Sequence, residues 1–138
     1  MNIRIAGTVN LEQGFLDKLL NELNIHSGPM NFKVEQNPLD YTTENYDWDS
    51  FFDACSNYRI DNSFENDDYF VVVTELRNKN NWFGTHSKNQ INTLFVTASD
   101  WENYIYCNPC YPVAYEIISS IWSAISLEQT NIDRKSVV

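Results

Sequence analysis

The chain reads as an α/β domain, with α+β as the alternative, in which a mixed four- to five-stranded sheet is packed by two to three helices. Three observations carry that reading. Ile3, Ile5, Gly7 and Val9 alternate with Arg4, Ala6 and Thr8, the period of a strand with one buried face, and a helical pattern follows at once. Phe70-Val71-Val72-Val73 is continuously apolar, as in a central strand covered on both sides. After Pro112, Ala114, Ile117, Ile118, Ile121 and Ile125 recur at the spacing of one helix face.

The elements follow in order. Asn10 is placed to cap a first helix with Gln13 as its reciprocal partner, and Leu11, Phe15, Leu16, Leu19, Leu20 and Leu23 form its apolar stripe. His26-Ser27-Gly28-Pro29 stops that helix, and Met30, Phe32 and Val34 alternate through a second strand, so the opening is β-α-β and implies a parallel or mixed sheet. A loop with Pro38 leads to Asp47, a cap for a second helix whose core stripe is Trp48, Phe51, Phe52 and Cys55. An acidic loop, Asp61 to Asp68, precedes a strand at Tyr69 to Leu76. Arg77 to Lys88 then reads as an edge strand or exposed loop, Ile91 to Thr97 as a strand, and Pro112 as the first residue of the last helix. Residues 1-128 are expected to form one domain and 129-138 a loose tail.

Composition sets further bounds. At 138 residues with 43% hydrophobic side chains, the chain can close one core without metals or disulfides. No apolar run reaches membrane-span length, the opening residues lack a signal-peptide pattern, and three cysteines (Cys55, Cys107, Cys110) make an odd set, so a cytoplasmic, reducing location is expected. Net charge is −10, concentrated between Glu35 and Asp68, where ten acids face Arg59 alone, a local net of −9. Such a field repels nucleic-acid phosphate and anionic lipid and attracts cationic partners. Nothing in the sequence fixes an oligomeric state.

Cys107-Asn108-Pro109-Cys110, directly before a helix, resembles the C-x-P-C redox motif of the thioredoxin family, over four residues, where a helix N-terminus stabilises a thiolate. A lone pair of cysteines also supplies two of four zinc ligands. His26 and His86 have no sequence neighbour that marks a triad, and phosphate-cradling and dinucleotide-binding glycine motifs are absent. Asp61, Ser63, Glu65 and Asp67 alternate as in a calcium loop, but Asn66 and Val72 stand where glycine and an acid are needed.

The order of a strand at Tyr69 to Leu76, an edge strand at Asn81 to His86, a strand at Ile91 to Thr97 and a helix at Pro112 resembles metzincin-type zinc peptidases. The helix of that family carries H-E-x-x-H, where this chain has Tyr115-Glu116-Ile117-Ile118-Ser119, and the later ligand position falls on Ile125. Glu116 matches and the ligands do not, so the resemblance implies a zinc-less scaffold.

The function these residues favour is a non-enzymatic, acidic module that binds a basic partner protein, through Asp47, Trp48, Asp49, Asp53, Asp61, Glu65, Asp67 and Asp68. Tyr41, Tyr46, Tyr58, Phe64 and Tyr69, interleaved with the acids, would be its aromatic anchors. Small bacterial immunity proteins and antitoxins share this composition. The alternative is a thiol-dependent or metallopeptidase-like enzyme using Cys107 or Cys110, with Glu116 as acid or base. A third reading gives Arg77 to Lys88 a nucleic-acid contact through Trp82 or Phe83. No cofactor or metal is expected.

Overall fold

The computed structural model describes residues 1–26, 28–80, 82–99 and 108–136, with side chains described as far as Thr130. Its elements run β1 (Asn2–Gly7), α1 (Phe15–Ile25), β2 (Asn31–Val34), α2 (Trp48–Asp61), β3 (Tyr69–Thr74), β4 (Gly84–His86), β5 (Thr93–Thr97) and α3 (Cys110–Ser136). The five strands form one mixed sheet in the order β2-β1-β3-β5-β4, with β2, β1, β3 and β5 parallel and β4 antiparallel at the edge. This is the α/β fold expected, and the strands at Met30 and Ile91 are each shorter than the sequence pattern.

Strand alternation divides the core in two. Ile3, Ile5, Val71, Val73, Leu94 and Val96 point to one face, where Leu19 and Leu23 of α1 and Val113, Ile117 and Ile121 of α3 cover them. Ala6, Phe70, Val72 and Phe95 point to the other, under Phe51, Phe52 and Cys55 of α2. All six residues of β3 are buried because helices lie on both sides, which is why its sequence lacks alternation. Burial pushes the Cys55 thiol pKa well up, so it is an inert packing group.

The first helix begins later than its stripe suggests. Asn10 does not cap it: Asn10 Oδ1 accepts the Thr8 hydroxyl at 2.8 Å. The chain instead turns at Gly14, whose φ of 85° suits glycine, and α1 starts at Phe15 with no side-chain cap. Asp47 does cap α2, its Oδ1 accepting the Ser50 amide at 2.9 Å. Asn108, rather than Pro112, opens α3: its Oδ1 accepts the Cys110 amide at 3.1 Å, and Pro112 sits within the first turn. Past Glu128 the helix continues to Ser136, where a loose tail was expected, because Gln129 to Ser136 holds neither glycine nor proline to stop it.

Candidate partner-binding cleft

The acids do not form one surface. Asp68 is buried, 5% exposed, with Oδ2 accepting from Arg4 Nε at 3.0 Å and from the Glu65 amide at 3.2 Å. Glu35 takes the other side of the same guanidinium at 2.9 Å, and the two carboxylates raise the Arg4 pKa, Glu35 most. Register explains the meeting. Arg4 lies beside Phe70 on β3 and Lys33 on β2, so its side chain spans from the end of β2 to the start of β3.

Arg59, the lone cation of the acidic stretch, is also buried, at 5% exposed. Its Nη2 donates to the carbonyls of Glu65 (3.0 Å) and Asp68 (2.8 Å). Phe64 lies between the two guanidiniums, with Arg4 4.6 Å and Arg59 5.9 Å from its ring centroid. Asp68 is thus a framework residue and not a partner contact. Local charge counting places it at the interface because Arg4, 64 positions away, is invisible to it.

The expected aromatic anchors are corrected in the same way. Tyr46, Tyr58 and Tyr69 are buried, and Tyr41 and Phe64 pack partly buried against the second core. Tyr58 stacks on Phe70, and Tyr46 stacks on Phe51. Tyr41, Tyr46, Tyr58 and Phe64 fill the space between α2 and the sheet, and Tyr69 lies in the core on the other face, roles the acids around them in sequence concealed.

Trp48 differs. It is half-buried, its ring 5.1 Å from Phe95 on the inner side and 6.1 Å from Trp82 on the outer. Trp82 is 55% exposed, yet its backbone is fixed: Asn78 Oδ1 accepts the amides of Asn80 (3.1 Å) and Trp82 (2.9 Å), while Asn78 Nδ2 donates to the Trp82 carbonyl (2.8 Å). A polar turn thus presents an exposed indole against α2.

Between these elements lies a cleft of about 610 Å³, within the range of ligand sites. Asp47, Asp49 and Asp53 of α2 form one wall, Trp48, Phe52 and Trp82 the interior, and the segment from Thr85 to Asn89, with His86 and Lys88, the other wall. Asp49 and Asp53 are exposed, one turn apart on the same helix face. The Ser50 amide chiefly holds the Asp47 carboxyl below its ordinary range, with a smaller contribution from Lys79, so this carboxylate stays charged. Aromatic faces beside fixed carboxylates attract cations both through the ring quadrupole and by Coulomb attraction.

Asp61, Glu65 and Asp67 are exposed but lie apart from this cleft, at the end of α2 and in the turn before β3. Glu65 and Asp67 line a separate depression with Glu128. Of the eight residues expected to bind a partner, the cleft gathers Asp47, Trp48, Asp49 and Asp53. Trp82, which the sequence grouped with a nucleic-acid segment, belongs with them. Its signal was Asn78, four residues upstream, at the spacing of a side-chain-capped turn.

The residues of the enzymatic alternative are not brought together. Cys107 lies outside the described residues. Cys110 is buried, and Cys55, on the other side of the sheet, is a buried thiol. Glu116 follows Cys110 by six residues, about 240° around the helix, and so faces elsewhere. Its carboxylate accepts the Ser120 hydroxyl at 3.4 Å and sits under β4, 3.1 Å from where a Cβ on Gly84 would stand. Tyr115 and Ser119, at the metzincin ligand positions, are exposed on the outer surface of α3, and Ile125 packs against the core. Among the described residues no group of three His, Cys, Asp or Glu side chains is arranged to hold a metal, and no helix is long and apolar enough to cross a membrane. Compared with protein-family models, curated proteins and solved structures, the chain matches none at a significant level, so its functional reading rests on this geometry.

Proposed function

We propose that this chain is a non-enzymatic binding module that engages a basic partner protein, taking a cationic side chain into the cleft between α2 and the Trp82 turn. The observation that carries this reading is the pairing of Trp48 with Trp82 beside the exposed carboxylates of Asp49 and Asp53. A lysine or arginine entering there meets two indole faces and a negative wall. Lys88 on the opposite wall offsets part of that negative charge. In biological terms the reading extends to an immunity or antitoxin-like role, in which a small acidic protein masks a basic one.

A second reading concerns ancestry of the scaffold. The succession β3, β4, β5, α3, with β4 as an antiparallel edge, supports a zinc-less metzincin-type arrangement for the C-terminal half. It is compatible with the binding function, because the cleft lies on the α2 face of the sheet.

The test is a pull-down from native cell extract with the wild type and the Asp49→Lys/Asp53→Lys variant, both checked by circular dichroism. Asp47 is left in place because it caps α2. A basic partner recovered by the wild type alone is the expected result. Recovery of the same partners by both proteins would remove the cleft from the mechanism.

A further inference from the structure

On the opposite side of the molecule, α3 presents a face that the binding reading does not use. Tyr111, Tyr115 and Trp122 are 53%, 73% and 46% exposed, and with Ile118 they follow i, i+4, i+7 and i+11 along the helix. They line a groove of about 930 Å³ that runs between α3 and the end of α1 at Glu22 and His26.

The α3 side of this groove carries no charge, and Glu22 at the α1 end is the one Asp, Glu, Lys or Arg that lines it. One residue in five of the whole chain is charged, yet from Cys110 to Leu127 the only charged residue is Glu116. Both acids between Cys110 and Thr130 are turned elsewhere: Glu116 to Ser120 and β4, and Glu128 to the Tyr69 hydroxyl at 2.9 Å. Charge depletion around exposed aromatic rings is the composition of an interface centre rather than of solvated surface.

Two hydroxyls of the groove are already satisfied within the helix. Ser126 donates its hydroxyl to the Trp122 carbonyl at 3.0 Å, and Thr130 to the Ser126 carbonyl at 2.9 Å. Hydroxyls folded back this way leave carbon outward and can be covered without orphaned donors. The rings of Tyr111, Tyr115 and Trp122 thus lie along α3 beside the small residues Ser119, Ser123, Ser126 and Thr130.

We infer that this face is the contact between two copies of the chain, with their α3 helices antiparallel about a two-fold axis. Antiparallel pairing sets the large rings of one helix against the small residues of the other, which makes the single patch complementary to itself, as a two-fold contact requires. Charge favours the same occupant. Two chains of net charge −10 repel one another over most of their surfaces, and this face, with Glu22 alone at its α1 edge, is where they approach at low cost. The three rings offer about 350 Å² per copy, close to half of the ~800 Å² per partner in a stable contact, and Leu127, the hydroxyl residues and the α1 end supply further area.

Light scattering after size exclusion, over a concentration series in low and high salt, tests this. The wild type should be dimeric at concentrations above about 10 μM, with the dimer kept or strengthened by salt, because salt screens the repulsion and leaves the apolar contact. Tyr115→Glu and Trp122→Glu should each weaken the dimer at least tenfold with unchanged circular dichroism. A wild type that is monomeric throughout, a dimer indifferent to both substitutions, or a monomer whose groove holds a co-purified small molecule in native mass spectrometry would each overturn the assignment. The α2 cleft is untouched by these variants, so its partner binding is read separately.

Discussion

Replacing Asp68 by alanine should destabilise the fold although it removes one of ten clustered acids. The magnitude follows from its contacts. The carboxylate loses a charge-assisted bond from Arg4, about 1.5 to 3 kcal/mol, and a bond from the Glu65 amide, about 0.5 to 1.5 kcal/mol. Against this stand the desolvation of a side chain only 7% exposed, which is no longer required, the 26% exposure of Arg4, and the retention of Glu35 as its partner; together these return about 1 kcal/mol. The net cost is about 1 to 3.5 kcal/mol, or roughly 0.5 to 2 M in urea midpoint for a domain of this size. Asp53→Ala, at an exposed helix position, should stay within about 0.5 kcal/mol of wild type. Urea unfolding followed by circular dichroism measures both. The Arg4→Met/Asp68→Ala double variant should lose less than the sum of the single losses, by about 1 kcal/mol. Equal midpoints for Asp68→Ala and Asp53→Ala would refute the division of the acids into framework and surface.

Leu19→Ala should cost about 2 to 5 kcal/mol, since Leu19 is fully buried between α1 and the sheet, whereas Ile118→Ala should cost less because Ile118 is only partly covered at the α3 groove; urea midpoints that rank the two the other way would contradict the packing. Burial raises the phenol pKa of Tyr46, Tyr58 and Tyr69, that of Tyr58 to about 12. The unfolded chain therefore loses these protons first, so stability is intact below about pH 10 and falls as pH rises toward 12. Alkaline unfolding should coincide with tyrosinate absorbance, and Tyr58→Phe should flatten the slope; an unchanged slope would mean that Tyr58 is not buried. Purified protein should carry no stoichiometric zinc, and one zinc per chain, lost on Cys107→Ser or Cys110→Ser, would make the cysteine pair a metal site instead.

The strands and the buried stripes of the helices were legible because each records its own period. Ile3 and Ile5, Leu19 and Leu23, and Ile117 and Ile121 are all fully buried as their spacing requires. What was not legible depended on residues distant in sequence. The start of α1 was displaced because Asn10 answers to Thr8, and Gly14 rather than a polar cap turns the chain. The acids looked like one field until Arg4 arrived from β1. The rings of Tyr46 and Tyr58 looked like surface anchors because acidic neighbours masked a second core. A hint was present in β1: Arg4 shares a face with Ala6, and that face also had to be covered, so a buried partner for the guanidinium was required. The cleft itself joins Trp48 to Trp82 across 34 positions, a contact that no local pattern announces.

The central claim, that the α2 cleft accepts a cationic side chain, is tested most directly by titrating a short arginine-containing peptide while observing the indole N–H signals by NMR. The account predicts that the Trp48 and Trp82 signals move together, that the Trp122 signal on the far side of the molecule stays still, and that rising salt weakens the response. The Asp49→Lys/Asp53→Lys variant should show little movement at the same peptide concentration. Signals of Trp48 and Trp82 that remain unmoved in the wild type at low salt, or that move equally in the variant, would contradict it.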